Sequence, residues 1–312
     1  MTPTWFMAIP FALMPLIFHW MPVWRRNGIW FGVTVAQDYP MSQVGRATLR
    51  DFRVAVWLLG LAAVAIALLA PFAAWTFPIA MTLEIVGMFG AMVVARQRTL
   101  PHAVRPTATR SVSLLEPPET MPFGLAAPLV PLAILGAAGA YCYVSGIWRE
   151  ASAALVSGAV QTAVMLFMGF AILRHSPRAR VAANAAATIQ FRRVLVEYMI
   201  VAAWVMAALL AAMAIAPGLP PAIFGLLFPA LAILYVWRLI RLGRGSGGGG
   251  DGTPDECWKL GMFYFNPEDP AIFVEQRFGI GYTLNWANRA TWMFGGIMVA
   301  LTLIAPLLMR YL

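Results

Sequence analysis

The sequence predicts an all-α polytopic membrane protein of about eight transmembrane helices, with a small α+β cytoplasmic module before the last helix. Three observations carry that expectation. The chain is 61% hydrophobic and only 11% charged, where a soluble domain is usually about 45–50% apolar and about 25% charged, and its mean hydropathy is +0.75. Eight apolar runs reach, or nearly reach, the roughly 20 helical residues that a bilayer core requires. Of the 22 lysines and arginines, all but Arg149 and Arg310 fall in alternate connections between those runs.

The runs are residues 5–24, 54–75, 77–95, 123–143, 153–173, 195–216, 219–237 and 292–308. No basic stretch precedes the first run and no small-residue cleavage site follows it; Trp24-Arg25-Arg26 closes it instead. It is therefore expected as a retained helix rather than a signal peptide. The second and third runs meet around Thr76, and the sixth and seventh at Pro217-Gly218, so both pairs read as tight helical hairpins. Trp5, Trp20, Trp24, Trp75, Trp148, Trp237 and Trp292 mark run ends, the depth at which an indole keeps its ring in an apolar layer and its N–H near a partner. Pro10, Pro15, Pro71, Pro128, Pro131, Pro229 and Pro306 lie within runs, where neighbouring helices or water can compensate the missing donor.

Charge sets the orientation. With the N-terminus outside, the first inner connection carries Arg25, Arg26, Arg46, Arg50 and Arg53, and the second Arg96, Arg98, Arg105 and Arg110. The third carries Arg174, Arg178, Arg180, Arg192 and Arg193, and the fourth Arg238, Arg241, Arg244, Lys259, Arg277 and Arg289. This is the asymmetry of the positive-inside rule, and it places both termini outside. In a soluble domain the net charge of +9 would suggest nucleic acid. Here the arginines punctuate apolar runs, so the expected partner is the lipid bilayer and no nucleic acid is expected.

These features divide the chain into a seven-helix membrane region (1–241), a Gly-rich linker (242–256), a small cytoplasmic module (257–288) and a final transmembrane helix (289–312). Within the module, residues 258–265 are aromatic-rich and strand-like. Asn266-Pro267-Glu268-Asp269-Pro270 is a turn, with Asp269 placed to cap a short helix that starts at Pro270, runs to Arg277 and ends at Gly279. Residues 281–285 read as a second strand. About 32 residues rarely hold a core alone. The module's apolar set, Trp258, Phe263, Phe265, Phe273, Val274 and Phe278, is therefore expected to dock on the helix bundle or the membrane surface, or else to meet a peptide or protein partner.

The module resembles a small bacterial domain of unknown function. The residues that carry the likeness are Trp258-Lys259-Leu260-Gly261, Phe263-Tyr264, Asn266-Pro267, Asp269-Pro270, Phe273-Val274, Arg277-Phe278-Gly279-Ile280-Gly281 and Thr283-Leu284-Asn285. That domain is found on multi-helix membrane proteins, some of them similar to the SdpI-like group of toxin-immunity and signalling proteins. Arg25-Arg26 followed by Phe31-Gly32-Val33-Thr34-Val35 is similar to the stretch after an early helix in those proteins. The resemblance implies a bacterial inner-membrane location and a topology, but no activity.

Buried charge in lipid is costly and often functional. His19 is expected at the interface, and Glu197 is expected to pair with Arg193 four residues earlier. Glu84 is different, because it lies roughly 10 Å inside the third run. Gln161 in the fifth run and Tyr141 in the fourth are candidates to hydrogen-bond it, either to hold helices together or to form a proton or cation site. Asp255, Glu256, Glu268, Asp269 and Glu275 match no calcium loop, and Cys142 and Cys257 form no metal motif or disulfide framework. The sequence contains no Walker loop, dinucleotide glycine fingerprint, HExxH or nucleophile elbow. No histidine other than His19 lies within a run, since His102 and His175 fall in basic connections. Neither a cofactor, a metal nor an enzymatic role is therefore expected. Two classes of function fit: a sensor, immunity or regulatory protein, and a small secondary transporter using Glu84. Reporter fusions near Arg50, Arg105, Arg180 and Asp251 should all read cytoplasmic, and alkaline phosphatase activity at Asp251 would overturn this topology.

Overall fold

The computed structural model describes residues 9–24, 28–69, 75–106, 110–112, 119–175, 179–181, 185–216, 222–241, 251–278 and 281–308. Among them are eight α-helices: α1 (Ile9–Trp20), α2 (Gln43–Ala67), α3 (Thr76–Thr99), α4 (Ala126–Val144), α5 (Trp148–His175), α6 (Ala185–Ile215), α7 (Ala222–Arg241) and α8 (Arg289–Leu308). Among the described residues, four helical stretches are long and apolar enough to cross a membrane: Thr76–His102, Ala126–Val144, Trp148–Arg174 and Ile189–Ile215. The shorter apolar stretches Phe11–Trp24 and Ala230–Leu239 belong to the first and seventh helices and the turn after α1.

The helices pack in two sets. In the first, α1 and α3 both lie on α2. In the second, α4, α5 and α7 pack on α6, and α8 packs on α5. Small residues allow the close approaches. A Cβ on Gly60 of α2 would lie 2.0 Å from Pro15 Cγ of α1, so the proline ring sits where any side chain would be. Two cores follow. One gathers Trp30, Phe31, Phe52, Val56, Met88 and Met92. The other gathers Ala127, Ile172, Val196, Ile200, Phe273 and Phe294.

Among the described residues, four two-stranded antiparallel ladders lie outside the helices. β1 (Ile29–Trp30) pairs with β2 (Val33–Thr34) in the connection before α2. β3 (Arg110–Val112) pairs with β4 (Ala179–Val181), which ties the α3–α4 connection to the α5–α6 connection. β5 (Trp258–Lys259) pairs with β6 (Phe263–Tyr264), and β7 (Phe273–Glu275) with β8 (Tyr282–Leu284). Tyr264 and Asn285 bridge the last two ladders.

The expected helix over 270–277 is corrected by this topology. The Asp269 carboxylate does accept from the Ala271 amide at 3.0 Å, but the chain then extends. Ile272, Phe273 and Val274 are β-branched or aromatic and favour a pleated ladder. Phe273 and Val274 are buried, and pairing with Leu284 and Thr283 holds them extended. Residues 258–265 likewise form a hairpin rather than a single strand.

Glycine positions give opposite expectations within the first helical set. Gly60→Ala should destabilise the detergent-solubilised protein by about 1–3 kcal/mol through overpacking. Gly90→Ala, where a Cβ meets nothing within 4 Å, should be neutral or slightly stabilising. Thermal melts of the two variants read the contrast.

Candidate functional site

The site forms where two hairpin tips meet at the end of α3. Both central residues of the β1–β2 turn have positive φ, Phe31 at 46° and Gly32 at 74°, the geometry that suits a two-residue hairpin turn. The β5–β6 turn repeats the feature with Leu260 at 53° and Gly261 at 78°. A Cβ on Gly32 would lie 2.7 Å from the Gly261 carbonyl oxygen, so the tips touch backbone to backbone. A left-handed phenylalanine is strained. Packing holds it there: the Phe31 ring stacks on Phe278 at 5.8 Å and meets Phe52 edge-on at 5.0 Å.

Two arginines lock the tips. Arg96, in the last turn of α3, donates to Gly32 O at 2.6 Å and to Trp258 O at 3.0 Å. Arg277, after β7, is fully buried and donates through Nε and Nη2 to both oxygens of Asp251 at 2.8 Å. Its Nη2 also reaches Thr253 Oγ1 at 3.0 Å and the Thr253 carbonyl. Its Nη1 donates to Gly32 O at 3.2 Å and to Asp255. Asp255 in turn accepts from the Thr34 amide at 3.1 Å and the Thr34 hydroxyl at 2.8 Å. Trp258 Nε1 donates to Thr253 Oγ1 at 2.8 Å, and its ring lies 5.0 Å from the Arg277 guanidinium carbon.

Two guanidinium groups and two carboxylates thus share one buried volume with no net charge. Burial alone would lower the Arg277 pKa, but Asp251 and Asp255 outweigh it and the net shift is upward. The cation is therefore held charged.

A second polar hub sits beside this cluster. Fully buried Asn285 donates to Asn266 O at 2.8 Å and Asp269 O at 2.9 Å, while its side-chain oxygen accepts from the Asn266 amide at 3.0 Å. Asn266 Nδ2 donates to the Tyr264 hydroxyl at 3.1 Å, and that hydroxyl donates to Asp269 Oδ2 at 3.0 Å. Pro267 and Pro270 are exposed in the same turn.

The module's rings divide between the two helical sets. Phe278 joins the first core, whereas Phe273 meets Phe294 of α8 edge-on at 5.0 Å. Tyr282 packs against Phe191, and its hydroxyl lies 3.5 Å from Arg192 Nε of α6. Trp258, Tyr264, Phe273, Val274 and Phe278 are buried, but Phe263 and Phe265 are 38% and 48% exposed. Gly281, at φ 133°, accepts from the Gln276 amide through its carbonyl. Gly279 lies outside the described residues.

The intramembrane candidates do not assemble. Glu84 is 3% exposed on the face of α3 that also buries Ala80 and Met88. Gln161 and Tyr141 are exposed on helices of the other set. Glu197 pairs not with Arg193 but with Arg238 of α7 at 2.6 Å, and it accepts from the Tyr235 hydroxyl at 3.0 Å. Asp255 and Asp269 face Arg277 and Tyr264, and no cluster of three His, Cys, Asp or Glu that could hold a metal occurs among the described residues.

Sequence reasoning missed Thr34, Arg96, Asp251, Thr253 and Asp255. An available signal was Asp251-Gly252-Thr253 closing the glycine run, since Asp followed by Gly and Thr favours a local turn through its own carboxylate. The Thr253 amide does donate to Asp251 at 3.1 Å.

The fold and site define a mostly helical chain with membrane-length apolar helices and a β-hairpin module clasped to them. A family of unknown function, DUF5808, matches residues 267–292. No curated protein and no solved structure matches the chain.

Replacing Arg277 by Met should cost about 3–5 kcal/mol, because it leaves the buried Asp251 carboxylate without its forked cation. Arg277→Lys should recover little of this, since a lysine cannot make the forked contact with Asp251. Thermal unfolding in detergent measures both.

Proposed function

We propose that the chain is an eight-span protein of the bacterial inner membrane and acts as a sensor, immunity or regulatory protein. In this reading the module faces the cytoplasm and reports on the relation between the two helical sets. The observation that carries it is the double attachment of the module: Arg277 and Phe278 engage Gly32 and the first core, while Phe273 and Tyr282 engage α8 and α6. A change in the packing of either set therefore reaches a single polar cluster.

Contacts among the arginine-bearing connections support the topology. The β3–β4 ladder, the Val104 amide donating to Thr34 O at 2.8 Å, and the Arg192–Glu119 ion pair at 2.9 Å all join connections that the charge rule assigns to one face. The family match covers residues 267–292 and is to a family of unknown function; the SdpI-like reading rests on the resemblance of the sequence alone.

One observation favours a transporter as the second reading. Buried Glu84 Oε1 has no hydrogen-bond partner among the described residues, and an intramembrane carboxylate is a default candidate for ion or proton passage.

A strain lacking the gene, tested against its own and neighbouring peptide toxins, separates the two. Complementation by Glu84→Gln and failure by Arg277→Gln, with both proteins inserted, is the outcome expected for the regulatory reading. Loss with Glu84→Gln, together with loss of proton uptake in proteoliposomes, would overturn it in favour of transport.

A further inference from the structure

We infer that one face of α2 is a binding site for a single anionic phospholipid, with the phosphodiester headgroup at the arginines and an acyl chain along the helix. This rests on the membrane reading above and goes beyond it.

An open groove of 430 Å³ is lined by Arg46, Leu49, Arg50, Arg53, Val54, Trp57 and Leu58. At the helical spacing of 3.6 residues per turn, positions 46, 50, 53 and 57 fall on one stripe of α2. The stripe changes character along its length. Three arginines occupy the end nearest the module, and beyond Trp57 the exposed residues are Leu58 and Leu61, at 62% and 63%. A free phosphate would use only the cationic half. A phospholipid has the same order of parts as the groove: an anionic head, an interfacial layer and a chain.

The geometry is fixed from behind. Trp57 Nε1 donates to His19 Nδ1 at 3.2 Å, and Arg53 Nε donates to the His19 carbonyl at 3.3 Å. Both side chains are thereby held against the end of α1, which leaves the Arg53 terminal nitrogens for a ligand. Arg50 leans on Asp51 at 3.1 Å, and Asp51 is shared with Arg98 at 2.7 Å. Arg50 Nε also donates to the Asp51 oxygen that its Nη2 meets, at 3.2 Å, so one carboxylate is divided between two guanidinium groups and one positive charge of the pair is left over. The Arg46 guanidinium touches no acidic group among the described residues. The groove keeps a positive excess beside Trp57, a side chain suited to a membrane interface. Arginine suits the site because its fork matches phosphate oxygens.

The test uses the full chain purified in detergent with phosphatidylglycerol or phosphatidylcholine added, read by native mass spectrometry. One phosphatidylglycerol should stay bound at collision energies that strip phosphatidylcholine. Arg46→Gln/Arg50→Gln/Arg53→Gln should reduce that retention at least tenfold, and Arg149→Gln, at the opposite end, should leave it unchanged. Arg46→Gln alone should reduce it several-fold and keeps the test readable if the triple variant fails to insert. Competition by free glycerol phosphate at millimolar concentration would replace the lipid with a soluble phosphate ligand and overturn the proposal. So would equal retention of the two lipids, or of phosphatidylglycerol by the Arg46 and triple variants. Failure of the wild-type chain to enter vesicles would instead overturn the membrane reading.

Discussion

A guanidinium removed from water must find nearly all of its hydrogen bonds at once, because an uncompensated buried charge costs several kcal/mol. Arg277 meets that demand, and much of the architecture around the module follows from how. Its acceptors come from Asp251, Thr253 and Asp255 upstream in the chain and from Gly32 some 245 residues away. No short segment could supply this set alone. The cluster forms only when the module, the β1–β2 hairpin and the end of α3 are together, which makes it a condition on tertiary structure rather than a local preference.

The two hairpin tips show how strain and packing offset each other. Phe31 and Leu260 hold positive φ without being glycine, each at a cost of order 1–3 kcal/mol. The neighbours that compensate come from other parts of the chain: Phe52 and Phe278 against Phe31, and Arg96 across both tips. Because Gly32 and Gly261 touch, neither turn can relax without parting the backbones. The clasp is thus short-ranged, the property that the proposed regulatory reading requires of it.

Hydropathy placed the helices well because a long apolar run is a local signal. The helices overlap every expected run, although among the described residues four stretches meet the length and apolarity needed to cross a membrane. The module's aromatics are equally legible from composition, whereas Asn285 is singled out only by the family resemblance. What was not legible depended on distant partners. Residues 270–277 carry a genuine helix-start signal at Asp269-Pro270, but pairing with 282–284 overrides it. Asp251 looked like the tail of a glycine linker because its partner lies 26 positions later. Arg96 looked like one topological charge among many. Position along the apolar runs makes Gln161 and Tyr141 candidate partners of Glu84, but position within a run says nothing about which helices touch.

The segment shared with the family of unknown function, residues 267–292, contains Arg277, Asp269 and Asn285 but not the carboxylates that neutralise Arg277. The hub at Asn285 is largely closed within the module, since Asn266, Asp269 and Tyr264 all lie within about twenty residues of it. The arginine cluster is not closed in this way. A buried arginine whose counter-charges lie upstream, and whose remaining acceptor is a carbonyl in another part of the chain, is poorly suited to a free-standing unit and well suited to a joint. That division between a self-sufficient hub and a dependent cation is the physical reason to read the module as part of the helical structure rather than as an appended domain.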